Sequence, residues 1–182
     1  MNFFRHLRTI NRHRRLVRKG CFKIGLYYQG LTHDLSKYSP TEFWCGVKYY
    51  QGTRSPNNAQ REDIGYSAAW LHHKGRNKHH YEYWIDYSLE NADGTMFPVS
   101  MPNRYIAEMV MDRIAAAKVY WGSKYTDSSP LQYYKKSEER IIIHPETKRK
   151  LEYLLEYLSN NGEKALYEHI KKEFLKKDEK DN

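Results

Sequence analysis

Residues 104–121 read RYIAEMVMDRIAAAKVYW, and this stretch decides the fold class. Tyr105, Met109, Asp112, Ala116 and Tyr120 fall near one stripe at helical spacing. Upstream, residues 62–74 give a second helix with Ile64, Ala68 and Leu71 on its apolar side. Asn77 to Leu89 continues as helix past Gly75. Residues 91–103, with Asn91, Gly94, Pro98 and Pro102, read as a loop. Ser39-Pro40-Thr41-Glu42 is a helix start, with Ser39 as N-cap, Pro40 at the first position and Glu42 closing a capping box. Phe43, Val47 and Tyr50 follow on one face, and residues 52–61 read as a loop. Residues 3–31 read as helix through Phe3, Leu7, Ile10, Val17 and Ile24, and a further helical stretch carries Leu31 to Lys37. Downstream, Ser123 to Pro130 is a turn. His144 to Phe174 holds two helices, the first with Leu151, Leu154, Leu155 and Leu158, the second with Leu166, Ile170 and Phe174, broken at Asn160-Asn161-Gly162. Ile141-Ile142-Ile143 is the one β-like run. The expectation is an all-α protein, a single compact helical domain over residues 1–182. The motif-bearing core is residues 10–120, residues 144–175 form the C-terminal helices, and residues 176–182 are a frayed tail.

Composition sets the outer limits. Of 182 residues, 40% are apolar and 15% aromatic, including 17 Tyr. That is too apolar for a disordered chain and enough for one sizeable core. The formal charge is +9, and it is concentrated at one end. Eight Lys or Arg lie between Met1 and Lys23, and the first carboxylate is Asp34. Such a leading helix either faces an anionic partner, such as a nucleotide or nucleic acid, or is a solvated face. Cys21 and Cys45 form no C-x-x-C pair and read as thiols in a reducing compartment. No apolar run reaches membrane-span length and no secretion signal is visible, so the expectation is a cytoplasmic protein without a membrane partner.

The histidines carry the chemistry. There are nine. His33 is followed directly by Asp34, in His-Asp-Leu-Ser-Lys. His72, His73, His79 and His80 lie within nine residues, and His13 sits on the first helix. Neighbouring helical residues point about 100° apart, so a His-Asp pair facing inward together calls for a shared ligand such as a metal ion. Imidazole with carboxylate suits divalent ions such as zinc, manganese, iron or magnesium. Lys37 lies three residues after Asp34, where its cation can hold a phosphoryl oxygen. If helix runs through Gly75, then His73, Asn77 and His80 share one face. Asp112 among Met, Val, Ile and Ala would be costly to bury without a cation. Glu108, one turn earlier, could support a ligand from behind.

The order His, His-Asp, histidine cluster, Asp resembles the HD superfamily of metal-dependent phosphohydrolases. Within it, His33-Asp34-x-x-Lys37, His79-His80 and Glu108-x-x-x-Asp112-Arg resemble the HD-GYP branch. The chain is also similar to a family of bacterial and phage HD-like proteins that share HDxSK, NxHH and EMxxD stretches. The resemblance covers roughly residues 10–120. It departs from the HD-GYP pattern in the short spacing from His73 to His79-His80, and in lacking a Gly-Tyr-Pro segment, where only Asp93-Gly94 and Pro98 stand.

The resemblance implies an HD-type helical fold and one or two divalent ions (iron, manganese, zinc, magnesium or nickel). His13, His33, Asp34 and Asp112 would hold the first ion, with His6 as a substitute for His13. His79, His80 and one of His72 or His73, with His73 preferred, would hold the second, and Asp34 would bridge. Lys37 would contact phosphate, with Asp34 and Lys37 as the catalytic pair. Apart from the resemblance, Arg76, Asn77 and Arg104 lie near these motifs as candidates beside the substrate, the arginines offsetting charge on the phosphoryl oxygens. The implied function is hydrolysis of a phosphate ester, such as a nucleotide, through metal-activated water. Three rivals stand against it: a basic nucleic-acid-binding module, a non-catalytic metal-binding protein, and a His-Asn-His nuclease, which would need a β-hairpin before the metal helix.

Overall fold

The computed structural model describes residues 2–88 and 95–177. The protein is built mainly of helix, with one short two-stranded sheet. In chain order the α-helices are α1 (Asn2–Ile24), α2 (Tyr27–Thr32), α3 (Pro40–Lys48), α4 (Pro56–Ile64), α5 (Ala68–Lys74), α6 (Asn103–Trp121), α7 (Ser129–Lys135) and α8 (Pro145–His169). None of the described helices is long and apolar enough to cross a membrane.

Helix α6 is the centre. Ile106, Ala107, Met109, Val110, Met111, Ile114, Ala115 and Ala117 are all buried. A helix apolar nearly all round must be surrounded, and α1 and α8 both pack on it. Val17, Cys21 and Ile24 of α1 meet Leu151, Leu154, Leu155 and Leu158 of α8 in one cluster with the α6 side chains. Burial of each such aliphatic side chain stabilises the fold by about 1.5–3 kcal/mol. Because α6 lies in this core, its two acids, Glu108 and Asp112, are carried inward with it. Cys21 and Cys45 are both free thiols.

Several local expectations hold and several do not. Ser39 caps α3 by accepting from the Glu42 amide. The α8 helix kinks at Gly162, whose φ of 78° favours glycine. The first helix, however, stops at Ile24 rather than residue 31, because Gly25 takes φ 88° and redirects the chain into α2. The stretch from Leu31 to Lys37 is not one helix. Asp34 has φ 55° and ψ 27°, and a 3-10 turn follows over Leu35–Tyr38. Residues 52–61 are not all loop, since Ser55 and Pro56 start α4 as N-cap and first residue. Helix does not run through Gly75 to Leu89. Helix α5 ends at Lys74, and Ile85–Tyr87 (β1) pairs antiparallel with Met96–Pro98 (β2), in register Ile85 with Pro98. This aromatic and β-branched run finds a strand partner that a helix would have denied it. Ile141–Ile143, the expected β-like run, forms no strand among the described residues and supplies Ile141 and Ile143 to the core edge. The end of the expected helix at Leu89, the segment with Asn91 and Asp93-Gly94, and most of the expected tail lie outside the described residues.

Helix α3 seats closely on α1 at Gly46. A β-carbon there would run into the imidazole of His6, which is buried between Phe43 and Tyr50. Gly46→Ala should therefore destabilise the protein by about 1–3 kcal/mol through overpacking. A denaturation midpoint unchanged from wild type would show that His6 has room to move.

Candidate metal centre

Three structural devices converge on one point below the surface. The first is the turn after α2, which carries His33 and Asp34. Asp34 is fully buried and is the one non-glycine among the described residues with positive φ. An aspartate tolerates the left-handed well better than most residues, and here it turns the carboxylate away from the helix direction. Arg14 of α1 clamps this turn. Its Nε donates to the His33 carbonyl at 2.8 Å, and its terminal nitrogens reach the Leu31 carbonyl and the Tyr38 hydroxyl, both at 3.1 Å. The second device is α6, whose Asp112 faces His13 of α1, with His13 Nε2 2.9 Å from Asp112 Oδ1. The third is the turn leaving α5, where the Asn77 amide donates to the His73 carbonyl at 2.8 Å and to Ser36 Oγ at 2.9 Å. That turn brings His79 and His80 back beside His73 without any helix through Gly75.

The result is two groups of side chains joined at Asp34. His13, His33, Asp34 and Asp112 form one, and Asp34, His73, His79 and His80 form the other. In each, the potential ligand atoms lie within 4.8 Å of one another. Asp34 Oδ2 is 3.5 Å from His13 Nε2 and 3.3 Å from His33 Nε2, while Oδ1 is 3.2 Å from His73 Nε2 and 3.5 Å from His79 Nε2.

Two glutamates stand behind the histidines. Glu108 Oε1 accepts from Nδ1 of His33 at 2.8 Å and faces Nδ1 of His79 at 3.1 Å. Glu42 accepts from Nδ1 of His72 and Nδ1 of His73, both at 2.7 Å. A carboxylate can only accept here, so each of these Nδ1 atoms carries a proton, and in His33, His73 and His79 it is Nε2 that faces Asp34. This is the arrangement that orients histidines on a metal.

Asp34 Oδ1, His79 Nε2 and His80 Nε2 are buried without a hydrogen-bond partner, and all three belong to the same group. Unpaired buried polar atoms are rare and costly, and a cation placed among these three would satisfy them together. Nitrogen-rich donors with carboxylate suit a divalent transition ion. The residues present therefore fit a metal ion.

Burial opposes charge on His33, but Asp34 and the hydrogen bonds to Asp112, Asp34 and Glu108 outweigh it and hold its pKa well above the usual value. Burial likewise opposes ionisation of Asp34, and the charges of His33, Lys37 and His73 overcome it, so its carboxyl sits well below the usual range. His80 goes the other way. Burial and then the neighbouring His79 and His73 push it well below the usual histidine value, leaving a neutral imidazole.

A cleft of about 650 Å³ opens beside these groups and is walled by His13, Lys37, His73, His80 and Asp112 among others. Lys37 Nζ lies 2.6 Å from Asp34 Oδ2, as its spacing predicts, though a 3-10 turn rather than an α-helix brings it there. His73, not His72, joins the group. His72 only shares Glu42. His6 lies apart, against Gly46, so His13 takes the position for which both were candidates. Asn77 braces the backbone of His73 and is buried. Arg76 and Arg104 are exposed and do not line the cleft, whereas Arg54, Arg61 and Arg113 do. The strand pair follows the histidines in the chain instead of preceding them, which removes the hairpin that a His-Asn-His nuclease needs. Glu42 was missed as a site residue. Its position in the helix-start motif explains it as a cap, yet its side chain is spent on two histidines. No curated protein and no solved structure matches the chain. A family model described as a family of unknown function, DUF5662, matches residues 2–157.

Proposed function

The chain belongs to the DUF5662 family, and we propose that it is a metal-dependent phosphohydrolase of the HD type that cleaves a phosphate ester of small-molecule size. The observation that carries this reading is the pair of four-residue groups sharing Asp34 at the wall of a cleft. Two positions bridged by one carboxylate suit phosphoester hydrolysis better than a purely structural site, which is closed and has no adjoining cleft. His13, His33 and Asp112 would hold one divalent ion, His73, His79 and His80 the other, and Asp34 both. The three imidazoles of the second group favour iron, zinc, manganese or nickel over magnesium. A divalent ion so held supplies Lewis acidity and brings the pKa of a bound water towards neutrality.

The chain's own residues do the rest. Glu108 and Glu42 orient His33, His79 and His73 through Nδ1, so that Nε2 is the atom each would offer to an ion. Lys37, at the cleft wall beside Asp34, offsets negative charge on the phosphoryl oxygens. Arg61 and Arg113 extend positive charge along the same wall. A cleft of about 650 Å³ is in the usual range for a small-molecule substrate.

Protein prepared without chelators should carry one to two divalent ions per chain by elemental analysis. It should hydrolyse p-nitrophenyl phosphate or a member of a phosphomonoester panel. His33→Ala should lose metal and turnover together while its far-ultraviolet spectrum stays helical. A metal-free wild type, or a His33→Ala variant as active as wild type, would sink the reading. Lys37→Met separates charge stabilisation from metal holding. It should retain its metal and lose about a hundredfold in kcat.

A further inference from the structure

The outward face of α1 is free of any role in the metal centre. Its buried residues, from His6 and Ile10 through Val17 to Ile24, all point to one side. At 100° per residue, the exposed Phe4, Arg8, Arg15, Lys19 and Phe22 fall on the opposite side, flanked by Arg5 and Arg18, within an arc of about 140°. His13, the metal-group residue of this helix, lies on the inner side. From Arg5 to Lys19 the row is about 20 Å long.

No carboxylate is paired with Arg5, Arg8, Arg15, Arg18 or Lys19 among the described residues, and none of the five makes a side-chain hydrogen bond. Some described exposed cations elsewhere, such as Lys135 with Glu138 and Lys172 with Glu168, are neutralised by neighbours. Aromatic rings stand at both ends of the row. Phe4 is 62% exposed at one end, and Tyr28 is 75% exposed near the other, where Phe22 and Tyr27 pair edge to face.

We infer that this face of α1 binds single-stranded nucleic acid, with the cations along the sugar-phosphate backbone and the terminal rings stacking on bases. Five unneutralised cations in a row complement a polyanion, and arginine matches phosphate oxygens in a fork that lysine lacks. Exposed rings flanking such a row are what base stacking uses. An anionic membrane fits less well. A membrane-surface helix buries its apolar face in lipid, and that face of α1 is already covered by α6. The inference does not depend on the phosphohydrolase reading.

The test uses the full chain as purified, without chelator, and gel electrophoresis of the recovered oligonucleotide checks that it stays intact. Binding to a fluorescent single-stranded oligonucleotide is followed by anisotropy across a salt series. Wild type should bind at low salt, and log affinity should fall linearly with log salt. Arg8→Glu with Arg15→Glu should weaken binding at least about tenfold and flatten the salt slope by about 0.7 per lost phosphate contact. Lys124→Glu with Lys136→Glu changes the net charge equally on exposed residues elsewhere and should bind nearly as wild type. Phe4→Ala with Tyr28→Ala should weaken binding without changing the slope. Thermal melting checks that all variants are folded. The inference is overturned if wild type does not bind at low salt, or if both charge-reversal pairs weaken binding equally. Tighter binding to phosphatidylserine vesicles than to the oligonucleotide, or equal affinity for a matched duplex, also overturns it.

Discussion

Asp34→Asn should empty both metal positions at once and leave the fold standing. Asparagine has nearly the same volume and accepts the left-handed backbone that residue 34 adopts, with φ 55°. What it removes is the negative charge that both groups share. Bound metal per chain should drop at least about tenfold, with hydrolysis lost alongside. Asp34→Ala loses metal equally but pays about 1–2 kcal/mol more in stability, because alanine resists that backbone. The pair of variants thus separates the charge from the conformation. An Asp34→Asn protein with wild-type metal content would show that the two groups do not act through their common carboxylate.

The second large effect lies one layer back. Glu108 Oε1 touches Nδ1 of His33 in one group and Nδ1 of His79 in the other. Glu42 touches Nδ1 of His73, which belongs to the second group alone. Glu108→Gln should therefore weaken both positions by about 10- to 100-fold in metal affinity. Glu42→Gln should weaken one and leave the other near wild type. Titration against a competing chelator reads this directly, as two weakened sites for Glu108→Gln and one for Glu42→Gln. Identical profiles for the two variants would contradict the division of labour.

The parts of the site legible in the sequence were those whose residue types conflict with their surroundings. An acid within the apolar run of α6 and a His-Asp pair facing inward together are both costly without a partner, so Asp112, His33 and Asp34 stood out. Glu42 did not, because Ser39-Pro40-Thr41-Glu42 is already accounted for by local capping, and a tertiary use of the same side chain leaves no second mark. The histidine cluster was visible, but its geometry was not. Its turn depends on the Asn77 amide reaching the His73 carbonyl, a contact that no helical periodicity encodes. Arg76 and Arg104 carry charge near the motifs, but charge says nothing about which way a side chain faces. In the fold, long helices with apolar stripes were readable. The short α4 was hidden by its polar Asn57-Asn58, and β1 with β2 was hidden because a three-residue exposed strand has no alternation to read.

The ligand groups are drawn from distant parts of the chain, with His13 near the beginning and Asp112 about a hundred residues later. Both cysteines are free thiols, so no covalent bridge holds these segments together. An ion held by both ends, as proposed, would close that loop as a removable staple, opposing an entropy of roughly 4 kcal/mol for a loop of this length. Loss of metal would then be felt as a loosening of α1 from α6, well beyond the centre itself.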